Sequence, residues 1–371
     1  MKKIGIVFVG VGGFGAVNLK NFLEAKREDA EIVATVDPFA PAPLAAPHFK
    51  TLEQMYASGV TPALAVISTP IRFHTEQILL CLEKGTNVMC EKPVTGDIAD
   101  LPLLLEAERK SECFVAIGYQ WSYSKAITAL KADIARGLYG KPVSLKTIIL
   151  WPRDKAYFNR STGWAGKIMH DGKKILDSVM NNATAHYLHN ILYILGDKAD
   201  TSVRASDIKA SLLRVNPIET FDTVTASFAL QEGAQGFFVA SHATERALEP
   251  TFLYEFTKGG VSFSETDPRV VGRLSDGTEI DYGDPFASPA DKIIHCVELI
   301  KSGQKAPLCG IRAASAQAEF IAALHESCAI ADVSPALVTN QNERLFVKGL
   351  GEALVSAYES KTLLDVSKFA N

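Results

Sequence analysis

The sequence predicts an α/β protein with two domains, and three observations support that prediction. The 371 residues exceed what one ordinary hydrophobic core accommodates. In residues 1–121, continuous apolar runs alternate with segments of helical period, which is typical of a doubly wound parallel sheet covered by helices on both faces. From about residue 205 to residue 282, short runs are separated by turn signals. This second pattern predicts a C-terminal α+β domain over residues 122–371 with an open, largely antiparallel sheet.

The elements of the N-terminal domain follow from the change of period along the chain. Apolar, β-branched runs predict strands at Ile4–Gly10, Glu31–Asp37, Ala63–Thr69, Asn87–Glu91 and Cys113–Tyr119. Segments of helical period predict helices at Gly13–Lys26, His74–Lys84 and Asp97–Lys110.

The pattern changes after Gly118. Helices are predicted at Lys125–Gly137, Met180–Leu195, Ala290–Ser302, Ile311–Ala331 and Asn342–Ser360, and a strand at Val143–Trp151. Hairpin turns are predicted at Gln231-Glu232-Gly233 and Ser275-Asp276-Gly277.

Composition limits the class of protein. A net charge of −4 with scattered Lys and Arg indicates neither a nucleic-acid surface nor a membrane-binding stripe. No apolar run approaches the ~20 residues that span a bilayer, and the first apolar run is too short for a signal peptide. Six dispersed cysteines without a CxxC pair are typical of reduced thiols. We therefore expect a cytoplasmic protein.

The first predicted strand runs directly into Gly10-Val11-Gly12-Gly13-Phe14-Gly15, which fits the pattern GxGxxG. In this pattern the first glycine permits a tight turn, the second lets the backbone approach a pyrophosphate, and the third lets helix and strand pack closely. The N-terminus of the following helix then faces the phosphate anions. Since strand, turn and helix occur in the required order, the sequence predicts the dinucleotide-binding turn of a Rossmann fold.

Asp37 ends the second predicted strand, where a ribose-binding carboxylate belongs. A carboxylate accepts hydrogen bonds from ribose hydroxyls and repels a 2′-phosphate, and no Arg or Lys occurs in the following Pro38-Phe39-Ala40. We therefore expect NAD as the cofactor in preference to NADP. The alternative interpretation is an aspartate that only starts a turn.

Two further strand ends carry polar residues. In an open parallel sheet, ligands bind beyond the carboxyl ends of the strands. Thr69-Pro70 ends one strand, with His74 at the start of the next helix, and Glu91-Lys92-Pro93 ends another. The alternative, purely structural interpretations are helix capping and surface placement for Thr69 and His74, and a solvated Glu91–Lys92 pair. The residues predicted to bind the cofactor are Gly10, Gly12, Gly13, Phe14, Gly15, Asp37, Thr69, Pro70, His74 and Glu91.

Together these motifs resemble those of the Gfo/Idh/MocA oxidoreductases, which include glucose–fructose oxidoreductase and inositol dehydrogenase. The resemblance rests on the GxGxxG turn, Asp37, Thr69-Pro70 with His74, and Glu91-Lys92-Pro93, and it extends to Gly137-x-x-Gly140-Lys141-Pro142. It covers the N-terminal domain well and the second domain more loosely. The motif set is specific for the superfamily and does not indicate one substrate.

The resemblance implies that Lys92 contacts the hydroxyl being oxidised. A second family signature, D-x-x-x-H, can be placed in two registers. Counting back from Gly196 puts His186 at the histidine and Asn182 at the aspartate; counting forward from Gly172 makes Asp177 the aspartate and Asn181 the histidine. We prefer the first register because it keeps a titratable group, and histidine is suited to accept a hydroxyl proton near neutral pH. His189 is interpreted as a core residue.

A polar, aromatic loop after Val143–Trp151 is a candidate substrate contact. Aromatic faces stack on sugar rings, and Arg donates to hydroxyls or a carboxylate. The alternative is packing of a long loop. The residues predicted to bind the substrate are Lys92, Gln120, Trp151, Arg153, Tyr157, Arg160, Trp164, Asn182 and His186.

The sequence thus predicts an NAD-dependent dehydrogenase acting on a secondary alcohol of a sugar, polyol or glycoside, with Lys92 as hydroxyl anchor and His186 as general base. No metal is predicted. Two alternatives remain open: a glycosidase or lyase that uses transient oxidation by bound NAD, and a non-catalytic sugar sensor. We expect a homodimer or homotetramer, since self-association would cover the open sheet.

Overall fold

A computed structural model describes residues 3–40, 42, 45–160 and 163–370. The chain divides into two compact units. Unit 1 comprises Met1–Ser124 and Phe286–Ser315, and unit 2 comprises Lys125–Pro285 and Ala316–Asn371. The sequence placed one boundary between residues 121 and 122, and it did not predict the return of residues 286–315 to unit 1.

Strands and helices alternate in the first third of the chain, and strands dominate the middle. The first third holds β1 (Ile4–Val9), α1 (Gly13–Glu24), β2 (Ala30–Val36), β3 (His48–Phe49), α2 (Leu52–Ala57), β4 (Leu64–Ile67), α3 (His74–Glu83), β5 (Asn87–Cys90), α4 (Leu101–Lys110) and β6 (Val115–Ile117). The middle holds α5 (Lys125–Ala135), β7 (Pro142–Leu150), α6 (Lys155–Phe158), β8 (Met169–His170), β9 (Lys173–Lys174), α7 (Ala185–Tyr193), β10 (Ser206–Arg214), β11 (Thr223–Ala229), β12 (Gln235–Ser241), β13 (Leu248–Phe256), β14 (Gly259–Ser264), β15 (Asp267–Leu274) and β16 (Glu279–Gly283). The last part holds α8 (Asp291–Ser302), α9 (Ile311–Ser327), β17 (Ile330–Asp332), β18 (Val338–Gln341), β19 (Arg344–Val347) and α10 (Leu350–Ser360).

The sheet of unit 1 has six strands in the order β3-β2-β1-β4-β5-β6, and every pairing is parallel. The central strand β4 is fully buried, which explains why it is apolar at every position. The strand order reverses between β1 and β4, so a crevice opens there at the carboxyl ends. The predicted Rossmann fold is confirmed.

The returning segment of residues 286–315 is tied to the last strand of unit 1. The backbone N–H of Ile117 donates to the carbonyl oxygen of Cys309 at 2.8 Å, and the Tyr123 hydroxyl donates to the same oxygen at 3.0 Å. In the same segment, Lys301, in the last turn of α8, donates to Asp29 at 2.6 Å. Polar contacts therefore tie the end of α8 and the chain that follows it to the rest of unit 1.

The sheet of unit 2 has nine strands in the order β16-β15-β14-β13-β7-β12-β11-β10-β17. Only the pairs β7–β12 and β10–β17 are parallel, so the predicted open, largely antiparallel sheet is confirmed. Both predicted hairpin turns join neighbouring strands, β11 to β12 and β15 to β16. The core on one side includes Ile148, Leu150, Phe237, Val239, Leu350 and Leu354.

Two of the predicted helices extended into residues that form strands. Residues 330–332 form β17, which pairs with β10, so α9 ends at Ser327. Residues 344–347 form β19, which pairs with β18 across a turn in which Asn342 and Glu343 have φ of 52° and 60°. Apolar periodicity cannot distinguish a short strand from a helical turn. Here the strand forms because it pairs with a distant strand, as β17 does, or with its neighbour across a turn, as β19 does. Strand β3 and helix α2 were not predicted. No helix in the described ranges is long and apolar enough to cross a membrane.

Candidate active site

The glycine-rich turn occupies the reversal point of the unit 1 sheet. Gly10 has φ of 78°, and a Cβ there would lie 3.0 Å from the backbone of Ser68. A Cβ on Gly15 would lie 1.8 Å from the carbonyl oxygen of Gly10, so only glycine fits. Gly12 caps α1 in an extended conformation, and the first turn of α1, which starts at Gly13, carries no acidic side chain. The N-terminus of α1 that follows this turn is suited to phosphate oxygens.

Asp37 lies beside this turn and is bonded to it. One carboxylate oxygen accepts from the backbone N–H groups of Val11 (3.0 Å) and Gly12 (3.3 Å), and the other accepts from Phe39 (2.9 Å) and Ala40 (2.8 Å). Burial alone would raise the pKa of Asp37, but these backbone donors outweigh it and hold the pKa below its ordinary value. Asp37 therefore starts a turn, as the alternative interpretation stated, and it also places an ionised carboxylate at the glycine-rich turn.

His74 links the ends of two strands. One ring nitrogen lies 2.9 Å from the carbonyl oxygen of Thr69, after β4, and the other lies 2.9 Å from that of Pro93, after β5. Burial lowers the pKa of His74, and a neutral imidazole donates to only one of two carbonyls at a time. The ring is 1 % exposed. Its position indicates that it holds the Glu91-Lys92-Pro93 turn. The hydroxyl of Thr69 is also engaged, since it donates to Gln77 at 2.6 Å.

Glu91 is buried in an ion pair that the sequence did not predict. Its Oε1 accepts from the ammonium of Lys292, on α8, and from the amide of Asn18, on α1, at 3.0 Å. Glu91 is 6 % exposed and Lys292 is 2 % exposed. Burial would raise the pKa of Glu91, but the charge and hydrogen bond of Lys292, together with the Asn18 amide and the charge of Lys92, outweigh it, so the pKa lies below its ordinary value. A Cβ on Gly118 would lie 3.1 Å from the carboxyl group, so β6 leaves little space on that side.

This pairing replaces the solvated Glu91–Lys92 pair that was the structural alternative. Lys92 lies two residues after the end of β5, is half-buried, and its peptide bond to Pro93 is cis. Pro70, after β4, and Gln120, after β6, are also half-buried. The carboxyl ends of neighbouring parallel strands therefore place Thr69, Lys92 and Gln120 at one edge of the unit 1 sheet. Phe14, at the start of α1, is half exposed, and its ring centroid lies 5.1 Å from the Lys292 ammonium.

In unit 2, His186 lies in the first turn of α7. The helix begins at Ala185, so Asn182 belongs to the preceding turn and not, as predicted, to the same helix. Both side chains are half-buried. His189 is 1 % exposed and stacks on Tyr193 at 5.4 Å, and burial lowers its pKa to about 3. His189 is thus a neutral core residue, as interpreted from the sequence.

The two residues of the other signature register are buried and hold backbone. Asp177 is 3 % exposed, and its Oδ2 accepts from the backbone N–H of Gly166 at 2.6 Å. Asn181 is 2 % exposed; its amide donates to the carbonyl of Leu176 at 3.1 Å, and its oxygen accepts from Gln317 at 3.2 Å. These contacts give both residues a structural task in the segment before α7.

The predicted aromatic loop forms a cluster in unit 2. Aromatic rings and guanidinium groups alternate along the chain in this cluster, and each guanidinium lies over two rings. Its members are Trp151, Arg153, Tyr157, Arg160 and Trp164. The Trp151 ring also packs edge-on to Tyr187 of α7 at 5.8 Å between centroids. The cluster therefore borders the helix that carries His186.

Lys292, Asn18 and Ser68 are the site residues that sequence reasoning missed. Asn18 donates both to Glu91 and to Ser68 Oγ, each at 3.0 Å, so it joins α1 to the ends of β4 and β5. No local motif signals these residues. The one usable signal was a lysine on the apolar face of a predicted helix, since a buried lysine requires an acidic partner.

The comparisons with known proteins agree on the N-terminal part. The model of an oxidoreductase family with an NAD-binding Rossmann fold, Gfo/Idh/MocA, matches residues 4–119. Inositol 2-dehydrogenase 2 of Mycolicibacterium vanbaalenii is 29% identical over 107 residues, which are 29% of this chain and 31% of that protein. The 2,7-anhydro-N-acetylneuraminate hydratase of Mediterraneibacter gnavus is 28% identical over 145 residues, 38% of each chain. The matched segments thus span about a third of these curated relatives.

Among solved structures, the WlbA dehydrogenase of Bordetella pertussis in complex with NADH and UDP-GlcNAcA is similar over most of the chain. The TM-score is 0.74 at 21% sequence identity, and the match covers 88% of this chain and 96% of that one. At this identity the similarity shows the fold, and it extends that fold well beyond residues 4–119.

Proposed function

Because residues 4–119 carry the NAD-binding Rossmann domain of the Gfo/Idh/MocA oxidoreductase family, we propose that the chain is an NAD-dependent dehydrogenase. It would move hydride between the nicotinamide and a secondary alcohol of a sugar, polyol or glycoside. The observation that carries the proposal is the glycine-rich turn at the reversal point of the sheet, with an ionised Asp37 bonded to it. The partly matched inositol 2-dehydrogenase supports a polyol-type substrate.

The turn and Asp37 fit a dinucleotide. Gly10, Gly12, Gly13 and Gly15 leave the backbone open to a pyrophosphate, and the carboxylate of Asp37 suits ribose hydroxyls. The same charge opposes a 2′-phosphate, which favours NAD over NADP. Bound NAD would supply the hydride acceptor.

In the proposed chemistry, two side chains handle the substrate hydroxyl. The ammonium of Lys92 donates a hydrogen bond to the hydroxyl oxygen and stabilises the negative charge that develops there as the hydroxyl proton leaves. His186 accepts the hydroxyl proton, and the C–O bond becomes a carbonyl. Asn182 can donate to or accept from a neighbouring hydroxyl, but it cannot take up the proton. The reverse steps would reduce a ketone.

A panel of sugars, polyols and glycosides, assayed for NADH formation, tests the proposal. We expect Lys92→Ala and His186→Asn to lower kcat strongly while NADH binding and the unfolding temperature change little. Lys50→Ala removes an exposed charge in the same unit and serves as the control. The proposal fails if Lys92→Ala retains the full activity of the wild-type protein.

A second candidate is an elimination or hydration that uses transient oxidation by NAD, which the partly matched hydratase supports. Both reactions would start with the same hydride transfer, so they differ in the net product. Cleaved or hydrated product without accumulating NADH identifies the second candidate, and a ketone with one equivalent of NADH identifies the first.

The homo-oligomer expected from the sequence stays part of the proposal. Light scattering coupled to size exclusion measures it directly, and a mass of one chain over the working concentration range contradicts it.

A further inference from the structure

The cluster of Trp151, Arg153, Tyr157, Arg160 and Trp164 has an unusual order. The Arg153 guanidinium carbon lies 5.6 Å from the Trp151 ring centroid and 5.0 Å from that of Tyr157. The Arg160 guanidinium carbon lies 4.6 Å from the Tyr157 centroid and 4.4 Å from that of Trp164. Each cation thus contacts two rings, and Tyr157 contacts both cations. We call this arrangement the arginine–aromatic stack.

Stacking determines which part of each guanidinium can still bind a ligand. The rings take up the flat faces, so the N–H groups on the edges remain for hydrogen bonds. The Nε of Arg153 and the Nε and Nη2 of Arg160 are shielded from solvent and have no hydrogen-bond partner among the residues that the structure describes. Among the described residues, neither guanidinium forms an ion pair. A buried donor without a partner costs free energy, and more so when it carries charge, so an acceptor of suitable charge would bind here favourably.

The loop that carries the stack is fixed at several points. The Asp154 side chain caps the short helix α6 by accepting from the backbone N–H of Tyr157 at 2.9 Å. The backbone N–H of Arg153 donates to the carbonyl of His242 at 3.0 Å, and the His242 ring lies 2.8 Å from the carbonyl of Trp151. A site whose side chains are already held in place loses less entropy when a ligand binds.

Among the described residues, none of the ionisable groups near the stack forms an ion pair with its guanidinium groups, and Glu249 accepts a hydrogen bond from the Trp151 indole at 3.0 Å. His242 packs edge-on to Tyr157 at 5.5 Å; burial, reinforced by the positive charges of Arg153 and Arg160, lowers its pKa to about 3, so it is neutral at pH 7. Burial raises the pKa of Tyr157, so its phenol is also neutral. Asp177 faces Tyr157 and is anchored by the backbone of Gly166. The space between Tyr157, Asp177 and His242 is about 10 Å³, which is enough for one water and too small for a ligand.

We propose that Arg153 and Arg160 bind an oxyanion of the substrate, a carboxylate or a phosphate ester, so that the preferred substrate is an acidic sugar derivative. This inference rests on the proposed dehydrogenase function and narrows its substrate class. Two features connect the site to that function: the Trp151 ring lies 5.8 Å from Tyr187, and the Tyr187 ring lies 6.5 Å from that of His186. The planar N–H edge of arginine matches two oxygens of such an anion.

Direct binding tests the inference without turnover. Trp151 and Trp164 are two of the three tryptophans, so tryptophan fluorescence of the full chain reports on the stack. We expect glucuronate or glucose 6-phosphate to change the fluorescence saturably, and glucose at the same ionic strength to bind at least about tenfold more weakly. Glucuronate and glucose 6-phosphate distinguish a carboxylate site from a phosphate site. Equal affinity for charged and neutral sugars overturns the inference.

Variants assign the effect to the stack. Arg153→Gln and Arg160→Gln should each weaken binding of the charged sugar about tenfold or more, whereas Arg246→Gln, which removes an exposed charge of the same unit, should leave it unchanged. Arg160→Lys keeps the charge but loses the planar edge and should also weaken binding, which covers the case in which a glutamine variant does not fold. Wild-type affinity in folded stack variants overturns the inference.

The two proposals fail in different ways. If charged sugars bind through the stack but no substrate reduces NAD, the dehydrogenase function fails and the anion site stands. If neutral polyols are oxidised as efficiently as their acidic counterparts, and Arg160→Gln leaves that ratio unchanged, the anion site fails and the dehydrogenase stands.

Discussion

Glu91 and Lys292 carry opposite charges with almost no access to water, and this determines how the residue before Lys92 is held. A buried pair that is also hydrogen-bonded contributes little net free energy when intact, but removal of one partner leaves an uncompensated charge. Asn18 adds a second donor to the same carboxylate oxygen. The end of β5 is thus fixed from α1 and from α8 together, and the position of Lys92 depends on both helices.

Replacement of Lys292 by methionine should reduce stability by about 3–5 kcal/mol near neutral pH, because Glu91 stays buried without its partner. The double variant Lys292→Met/Glu91→Gln should recover most of that loss. Urea unfolding of the wild-type protein and both variants measures the differences. A double variant as unstable as Lys292→Met would show that lost packing, and not charge, is responsible.

The same pair predicts the pH dependence of that loss. In the wild-type protein the pKa of Glu91 lies below its ordinary value of 4.5, so its stabilisation is present above that pH and is lost as the pH falls. In Lys292→Met, burial is opposed only by the Asn18 amide and the charge of Lys92, so this pKa should lie higher than in the wild-type protein and the folded state should favour the ionised form of Glu91 less. The difference in stability between the two proteins should therefore grow as the pH rises from acid values to pH 7. A difference that does not change with pH contradicts the charge explanation.

Asp37→Asn should shift the cofactor preference. The amide removes the charge that opposes a 2′-phosphate and places an NH₂ group against backbone donors of the glycine-rich turn. We expect the ratio of NADPH to NADH affinity to rise about tenfold, a change of about 1.4 kcal/mol. Cofactor fluorescence measures both affinities without a substrate. The control is Glu31→Gln, which removes an exposed charge from the strand that leads to Asp37. An unchanged affinity ratio in Asp37→Asn refutes the assigned role.

Two exposed glutamates, one in the turn between β18 and β19 and one in α10, should change stability in opposite directions when each is replaced by glycine. Glu343 lies at the turn with φ of 60°, a conformation that costs a non-glycine residue about 1 kcal/mol, so Glu343→Gly should stabilise the protein by about that amount. Glu352→Gly, in the first turn of α10, should destabilise it by about 1 kcal/mol. Both side chains are exposed, so their loss removes little packing. The midpoints of thermal unfolding of the two variants therefore report mainly the effect of glycine on the backbone. A lower midpoint for Glu343→Gly contradicts the prediction.

Local pattern identified most of the parallel sheet, because strand, glycine-rich turn and helix follow one another within a few residues. It failed where a distant partner decides. Ile330–Asp332 is a strand only because β10 lies beside it, and Lys292 is 201 positions from Glu91. The arginine–aromatic stack lies between these cases: its residues are close in sequence and were predicted as a group, but their alternation in space depends on α6 and on His242.

Unit 1 is built from two separate stretches of chain, and the second stretch supplies more than surface. Residues 286–315 give the buried ammonium for Glu91 and the carbonyl of Cys309 for Ile117, and Phe286 packs against Trp121 at 5.3 Å. Burial of a carboxylate without a partner would work against folding of the first stretch alone. The nucleotide-binding unit therefore depends on a segment that follows eight of the nine strands of the mixed sheet in the sequence.

A fragment of residues 1–124 should accordingly not fold cooperatively or bind NADH, whereas residues 1–124 joined to 286–315 by a short glycine–serine linker should do both. The contact of Trp121 with Phe286 shows that the two ends to be joined are neighbours, so a flexible linker spans them without strain. Circular dichroism, thermal unfolding and NADH fluorescence compare the two chains. The matched control is the joined chain with Lys292→Met, which contains the segment but lacks the ammonium. It should lose most of the stability that the joined chain gains over residues 1–124 alone. Cooperative folding and NADH binding by residues 1–124 alone would show that the first stretch is sufficient and that the Lys292 pair only adjusts an already formed unit.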